Sequence, residues 1–291
     1  MSGPDPDVRQ PAVAGAFYPA RPEGLRGLVD ACLASPGELR AYDRPVGVLV
    51  PHAGLVYSGS VAALGWSSLL LNAVADPTVV ILGTNHSARF DGVAVFEAGA
   101  WRTPLGDVPV DAGVASAIIG LGSPFASGRH AHRDEHSIEV QLPIVQTLRP
   151  GARMVPCSVA AGTGPEAVEA GRRLGLLLAD LRAGGRDVLL AISTDMAHYP
   201  ARDEAVRVTG RLAPSITALD PEALAVLERA ETRSGARGMA CGMCGIQPSV
   251  LGLSALRSMV AIGGAVVGAA TSADAGADPA RTVGYLAVAF A

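Results

Sequence analysis

Three short apolar runs, Val46 to Val50, Thr78 to Leu82 and Asp187 to Ser193, constrain what this chain can fold into more than any other feature. Runs of this length, rich in valine, isoleucine and leucine and bounded by proline, glycine or aspartate, read as strands buried on both faces. Such strands belong to a largely parallel or mixed central sheet flanked by helices, the α/β class. Each run ends in a turn bearing an ionisable residue: Pro51-His52-Ala53-Gly54, Gly83-Thr84-Asn85-His86-Ser87, and Thr194-Asp195-Met196-Ala197-His198. Open α/β sheets place their ligands beyond the carboxyl ends of the strands. His52, His86 and the Asp195/His198 pair are therefore expected along one sheet edge.

The rest of the chain alternates strands with helices. Leu25, Leu28, Val29 and Leu33 have helical spacing, with Cys32 on the same face as a small core residue. Helices are expected over Ser60–Leu71, Asp111–Leu121, Glu166–Leu181, Pro221–Glu231 and Ser249–Met259. Another is expected to open at Asp134, its acids in the first turn where the macrodipole favours them. Shorter strands are expected at Val93–Phe96, Met154–Pro156, Ala265–Ala269 and Val283–Ala289, and Trp101 to Asp107 reads as a turn-rich excursion. Phe17 and Tyr18 read as packing residues. No linker or repeat divides the chain, so the expectation is a flexible tail over residues 1–10 and one α/β domain over 11–291.

Composition removes several function classes. The formal net charge is −4, without the basic footprint of a nucleic-acid binder. All 23 basic residues are arginine, which excludes a Schiff-base lysine and a P-loop, since both need an ammonium group. There is no G-x-S-x-G nucleophile elbow. Met1 to Gln10 lacks the pattern of a signal peptide, and the glycine-broken run Met259 to Ala270 is too short to span a bilayer. Four cysteines are too few and too clustered for a disulfide framework. These features point to a soluble cytoplasmic protein with reduced thiols, with neither nucleic acid nor membrane as partner.

Neutral imidazole is the commonest metal ligand, and two histidines with one anionic ligand leave coordination positions open for substrate or oxygen. A single histidine after a strand is more often a loop hydrogen-bonder; three such placements in one chain weaken that explanation. The anionic candidates are Asp195, Glu135, Glu139 and Cys241. Cys241-Gly-Met-Cys244 has the spacing of a redox pair or half a structural zinc site. No second cysteine pair completes it, so a single thiolate serving His52 and His86 is the better reading. His130 and His132 are expected in solvent, whereas His136, flanked by carboxylates, reads as a group supporting the site.

Taken together, Pro51 to Gly59, Leu82 to Ser87, Thr103 to Gly106, Asp134 to Glu139, Ser193 to His198 and Ala240-Cys241-Gly242 resemble the motifs of the Memo family. In prokaryotes that family includes protein B of the AmmeMemoRadiSam system. The resemblance runs from about Pro11 to the carboxyl end. It implies a fold related to the class III extradiol (LigB-like) dioxygenases and a mononuclear site with His52, His86 and Cys241 as metal ligands. It further implies His198 and Asp195 as a catalytic pair across the cleft, with Tyr57 on its wall and His136 beside the substrate. Thiolate in place of the LigB-like enzymes' glutamate softens the site toward iron or copper. Fe(II) is the expected metal, with copper and zinc as alternatives, and Met239 and Met243 are open as axial ligands. The implied activity is dioxygenase-type redox chemistry on a small aromatic or phenolic substrate, with partner proteins from the AmmeMemoRadiSam system. A non-catalytic iron- or copper-binding or partner-docking protein, and a metal-dependent hydrolase, are the competing readings.

Overall fold

The computed structural model describes residues 7–34, 45–71, 73, 76–259 and 261–291. The chain begins with a two-residue strand β1 (Val8–Arg9) and helix α1 (Pro22–Leu33), where proline at the first position removes an N–H that would lack a helical partner. Strand β2 (Gly47–Val50) leads into α2 (Leu55–Leu70), followed by β3 (Thr78–Thr84), β4 (Gly92–Val95) and the hairpin β5 (Ala100–Thr103) with β6 (Gly106–Pro109). Helix α3 (Ala112–Ile119) is capped by Asp111, whose carboxylate accepts from Val114 N. Strand β7 (Phe125–Ser127) precedes two 3-10 turns, Arg129–His132 and Glu139–Gln141, and then α4 (Leu142–Leu148). The order continues β8 (Arg153–Ala160), α5 (Pro165–Ala183), β9 (Val188–Ser193), α6 (Arg202–Thr217), α7 (Pro221–Arg233), α8 (Ile246–Ser258), β10 (Gly264–Thr271) and β11 (Gly284–Phe290).

Eight strands form one mixed sheet in the order β10-β11-β2-β9-β3-β8-β4-β7, and β1-β5-β6 form a small second sheet. The four central strands β2, β9, β3 and β8 are mutually parallel, while β11 and β4 join them antiparallel. Period-two alternation along the buried strands feeds two cores. Leu49, Val80, Leu82, Leu190 and Ile192 point into the core shared with Leu174, Leu178, Leu251 and Leu256 of α5 and α8. Val48, Val50, Val79, Ile81 and Leu189 point into the other, with Leu25 of α1, Trp66 of α2 and Ile144 of α4. This is the α/β architecture expected from the apolar runs.

Four differences from the sequence-based expectations concern the backbone. Strand β8 has eight residues instead of three, because Arg153–Val159 pairs along the whole of β3. Helix α6 was not expected; it is polar overall and contains Pro214, yet Ala205, Val208, Leu212 and Ile216 keep a buried stripe at helical spacing. The helix expected to open at Asp134 does not start there: the chain first makes the turn at Glu139–Gln141 and becomes α-helical only at Leu142. Finally, residues 8 and 9 of the expected tail pair in parallel with Ala100 and Trp101 as β1, whereas residues 1–6 lie outside the described residues.

Candidate metal centre

Strands β2, β9 and β3 lie side by side, with Val50 opposite Ser193 and Ser193 opposite Gly83. Neighbouring strands are about 4.8 Å apart, so residues just beyond their ends converge. One donor atom from each of His52, His86 and Cys244 lies within 4.8 Å of the other two. The His52 and His86 rings stand nearly perpendicular, at 83°, with centroids 5.2 Å apart.

His52 is buried, and its backbone N–H donates to Asp195 Oδ1 at 2.7 Å. Its Nδ1 lies 3.0 Å from Ser193 Oγ, and its Nε2 lies 3.3 Å from Cys244 Sγ. Burial first, and then the neighbouring His136 and His86, push the ring's pKa well below the ordinary histidine value. The ring is therefore neutral at physiological pH, the form that ligates metals.

His86 is anchored by Glu135, a fully buried carboxylate. Glu135 Oε2 accepts from His86 N at 2.6 Å and from Ser87 Oγ at 3.2 Å. Its Oε1 accepts from His136 N at 2.9 Å and Ser137 N at 3.0 Å, and His86 Nδ1 stands 3.0 Å away. Burial alone would raise this carboxyl, but the bonds from the His86 ring and backbone and from Ser137 outweigh it and hold the group far below the usual carboxylate range. An anion at Nδ1 keeps the proton there and turns the Nε2 lone pair outward, the arrangement by which carboxylates orient metal-binding histidines. His136 stacks on His86 with centroids 4.6 Å apart and planes at 27°, and Phe17 packs against His136 at 4.6 Å and a 45° tilt. Phe17, read from the sequence as packing, thus also backs the site.

The sulfur in this cluster belongs to Cys244, not to Cys241 as expected. The sequence offers two Cys-Gly dipeptides, and the fold distinguishes them by space. A Cβ at position 245 would come within 2.4 Å of Thr194 Cβ and 2.8 Å of Thr84 Oγ1, so only glycine lets the turn press against the ends of β9 and β3. A Cβ at position 242 would meet nothing closer than 3.5 Å. Gly245 caps α8, which places Cys244 at the amino end of that helix with Asp195 N donating to its Sγ at 3.3 Å. Burial raises the Cys244 thiol well above its ordinary pKa, and the Asp195 carboxylate adds to this. Cys241 serves through its backbone, its carbonyl accepting from His198 N at 3.1 Å, and its thiol is pushed up to about 11 by burial and the Glu228 and Asp195 carboxylates. Met243 is buried in the core that includes α5 and α8, with Met239 packed against it.

His198 and Asp195 both reach the site, in roles other than a simple hydrogen-bonded pair. Asp195 Oδ1 accepts from His52 N and Ala53 N, which pins the turn after β2. His198 Nε2 stands 4.0 Å from Asp195 Oδ2, beyond hydrogen-bonding distance, and is buried without a hydrogen-bond partner among the described residues. Tyr199, next in the chain, has φ of 72°, a left-handed conformation that is unusual for an aromatic residue.

Other expected residues fall outside the donor cluster. Glu139 is fully buried and accepts from Arg9 Nη1 at 2.6 Å, Ala12 N at 2.8 Å, Val13 N at 3.0 Å and Tyr18 Oη at 2.5 Å, so it fastens the amino-terminal segment. Tyr57 stands on the first turn of α2, 45% exposed. His130 is exposed as expected, but His132 is fully buried beneath Phe96 and Trp101, with Nε2 2.9 Å from Ala94 O. Sequence reasoning gave no role to Ser193, Gln141 or Trp66, although all three contribute to the surroundings of His52.

A mixed α/β sheet with two imidazoles and a thiol gathered at its carboxyl edge defines a class of protein with a candidate mononuclear metal centre. The Memo-like protein family model matches residues 9–289, and the chain belongs to that family. A MEMO1 family protein of Methanopyrus kandleri is 37% identical over 97% of this chain and 98% of its own length. One from Aquifex aeolicus is 34% identical over 97% and 99%. In fold alone, the chain is similar to a crystal structure of the uncharacterized protein JW3007 from Escherichia coli K12. The TM-score is 0.52 and the identity 16%, over 85% of this chain and 100% of that one.

Proposed function

We propose that this Memo-family protein holds one redox-active ion, iron(II) in preference to copper, on His52, His86 and Cys244, and uses it on a small phenolic substrate. The observation that carries this reading is the convergence of two imidazoles and a sulfur within 4.8 Å of one another at the sheet edge. The donor set fits such an ion. Thiolate and imidazole suit iron and copper, and three protein ligands leave positions for substrate. When bound, the ion would supply one-electron chemistry and activation of oxygen.

The chain's own residues supply the remainder. The stacked His86 and His136 rings, with Phe17 against His136, supply aromatic surface on which a substrate ring can stack. His198 Nε2 has no hydrogen-bond partner among the described residues and can take or return a substrate proton; burial holds its pKa below the ordinary histidine value, and the Asp195 carboxylate 4.0 Å away opposes that shift. The test is metal analysis of anaerobically purified protein. Wild type and Cys241→Ala are expected to retain one iron per chain, and Cys244→Ala to lose it; the reverse pattern would overturn the ligand assignment. Oxygen uptake by the iron-loaded protein with catechols should then be abolished in His198→Ala while the metal is retained. Metal uptake with no oxygen consumption across such a panel would make the protein an iron carrier.

A further inference from the structure

The surroundings of His52 fix more than its position. Trp66 Nε1–H can only donate, and it lies 2.7 Å from Gln141 Oε1. The Pro51 carbonyl can only accept, and it lies 2.8 Å from Gln141 Nε2. These two contacts agree on one orientation of the Gln141 amide, so Gln141 must present N–H to Ser193 Oγ, 2.9 Å away. Ser193 Oγ also lies 2.6 Å from the Ser137 carbonyl, another group that can only accept. The hydroxyl has one proton. If that proton went to His52, the 2.6 Å contact would set two oxygen lone pairs against each other, so it goes to Ser137. Toward His52 Nδ1, Ser193 is then an acceptor only.

We infer that Ser193, oriented by Gln141 and Trp66, is a positioning residue that confines the proton of neutral His52 to Nδ1 and thereby presents the Nε2 lone pair to the ion. This deepens the proposed metal-binding function and rests on it. Both histidines thus carry their proton on Nδ1, but they are supported differently: His86 by the carboxylate of Glu135, His52 by an uncharged chain of side chains. The Asp195 carboxylate at His52 meets the backbone N–H and not the ring, so the relay orients the ring through uncharged groups alone.

The test is the long-range nitrogen–proton correlation spectrum of the histidine rings in metal-free protein, paired with Zn(II) titration as a redox-silent probe of affinity. The chain has six histidines, and His52 is assigned by the signal lost in His52→Gln. In wild type the proton is expected on Nδ1 alone. In Ser193→Ala a form protonated on Nε2 should appear, and Zn(II) affinity should fall about 10- to 100-fold, the usual effect of losing such a supporting partner. Ser193→Thr, which keeps the hydroxyl, should restore both. A wild-type His52 protonated on Nε2, or a Ser193→Ala protein unchanged in both readouts, would overturn the inference. The wild-type spectrum decides the matter even if Ser193→Ala does not fold. Should wild type bind no metal of any kind, the metal-binding function would fail while the ring-proton result stood independently.

Discussion

At His132 a single ring couples the fold to pH. The side chain is fully buried against Phe96 and Trp101, and burial lowers its pKa to about 4. The folded ring is neutral, while the unfolded one takes a proton near pH 6.5. Stability is therefore complete above pH 6.5, falls as the pH drops through the window from 6.5 to about 4, and levels off below it. The loss at pH 5 comes to about 2 kcal/mol. Urea unfolding at pH 7.5 and pH 5 should show His132→Gln losing less stability between the two pH values than wild type, by about that amount. The sequence reading placed His132 in solvent because its neighbours are polar. Its burial is decided by β1 and the β5–β6 hairpin, which local pattern does not encode. The placement of the Cys244 sulfur in the donor cluster was illegible for a similar reason: both cysteines precede glycine, and only the approach of Gly245 to Thr84 and Thr194 separates them. His52 and His86 were legible because they directly follow strands that the chain itself announces.

Among the elements, α5 and α8 meet where small residues allow close approach. A Cβ at Gly175 would lie 2.1 Å from the Ala255 carbonyl oxygen, and one at Gly171 would lie 2.2 Å from that of Leu251. Both clashes are with backbone, so relief requires moving a helix. Gly175→Ala is expected to destabilise by about 1–3 kcal/mol, the usual cost of overpacking. Gly210→Ala makes the same change within α6, where nothing lies within 4 Å of the new methyl, and should stabilise by about 0.5–1 kcal/mol. Thermal unfolding of the two variants should shift in opposite directions. Elements with strong periodicity, such as β3, β9 and α5, were readable from residue spacing. The amino-terminal segment was not, because the partner that orders it, Glu139, is about 130 residues away and looks like an ordinary acid at the start of a helix. Arg9 and Glu139 form a buried ion pair that local sequence gives no means of matching.

For the whole molecule, the order β2-β9-β3 makes the site a property of the sheet. No helix among the described residues is long and apolar enough to cross a membrane, and the helices instead cover this sheet on both faces. The histidines stand on turns pinned by the buried carboxylates of Asp195 and Glu135, so on the proposed function an ion would meet donors already in place. Calorimetry at several temperatures should give a heat-capacity change of binding close to zero. A large negative value would mean that the ion orders part of the chain. The three donors are not mounted alike, however. The two imidazoles follow β2 and β3, which both pair with β9 in one hydrogen-bonded ladder, whereas the sulfur rides on the amino end of α8, whose seat depends on Gly171 and Gly175. Overpacking α5 against α8 is therefore expected to displace the sulfur while the two imidazoles stay in place.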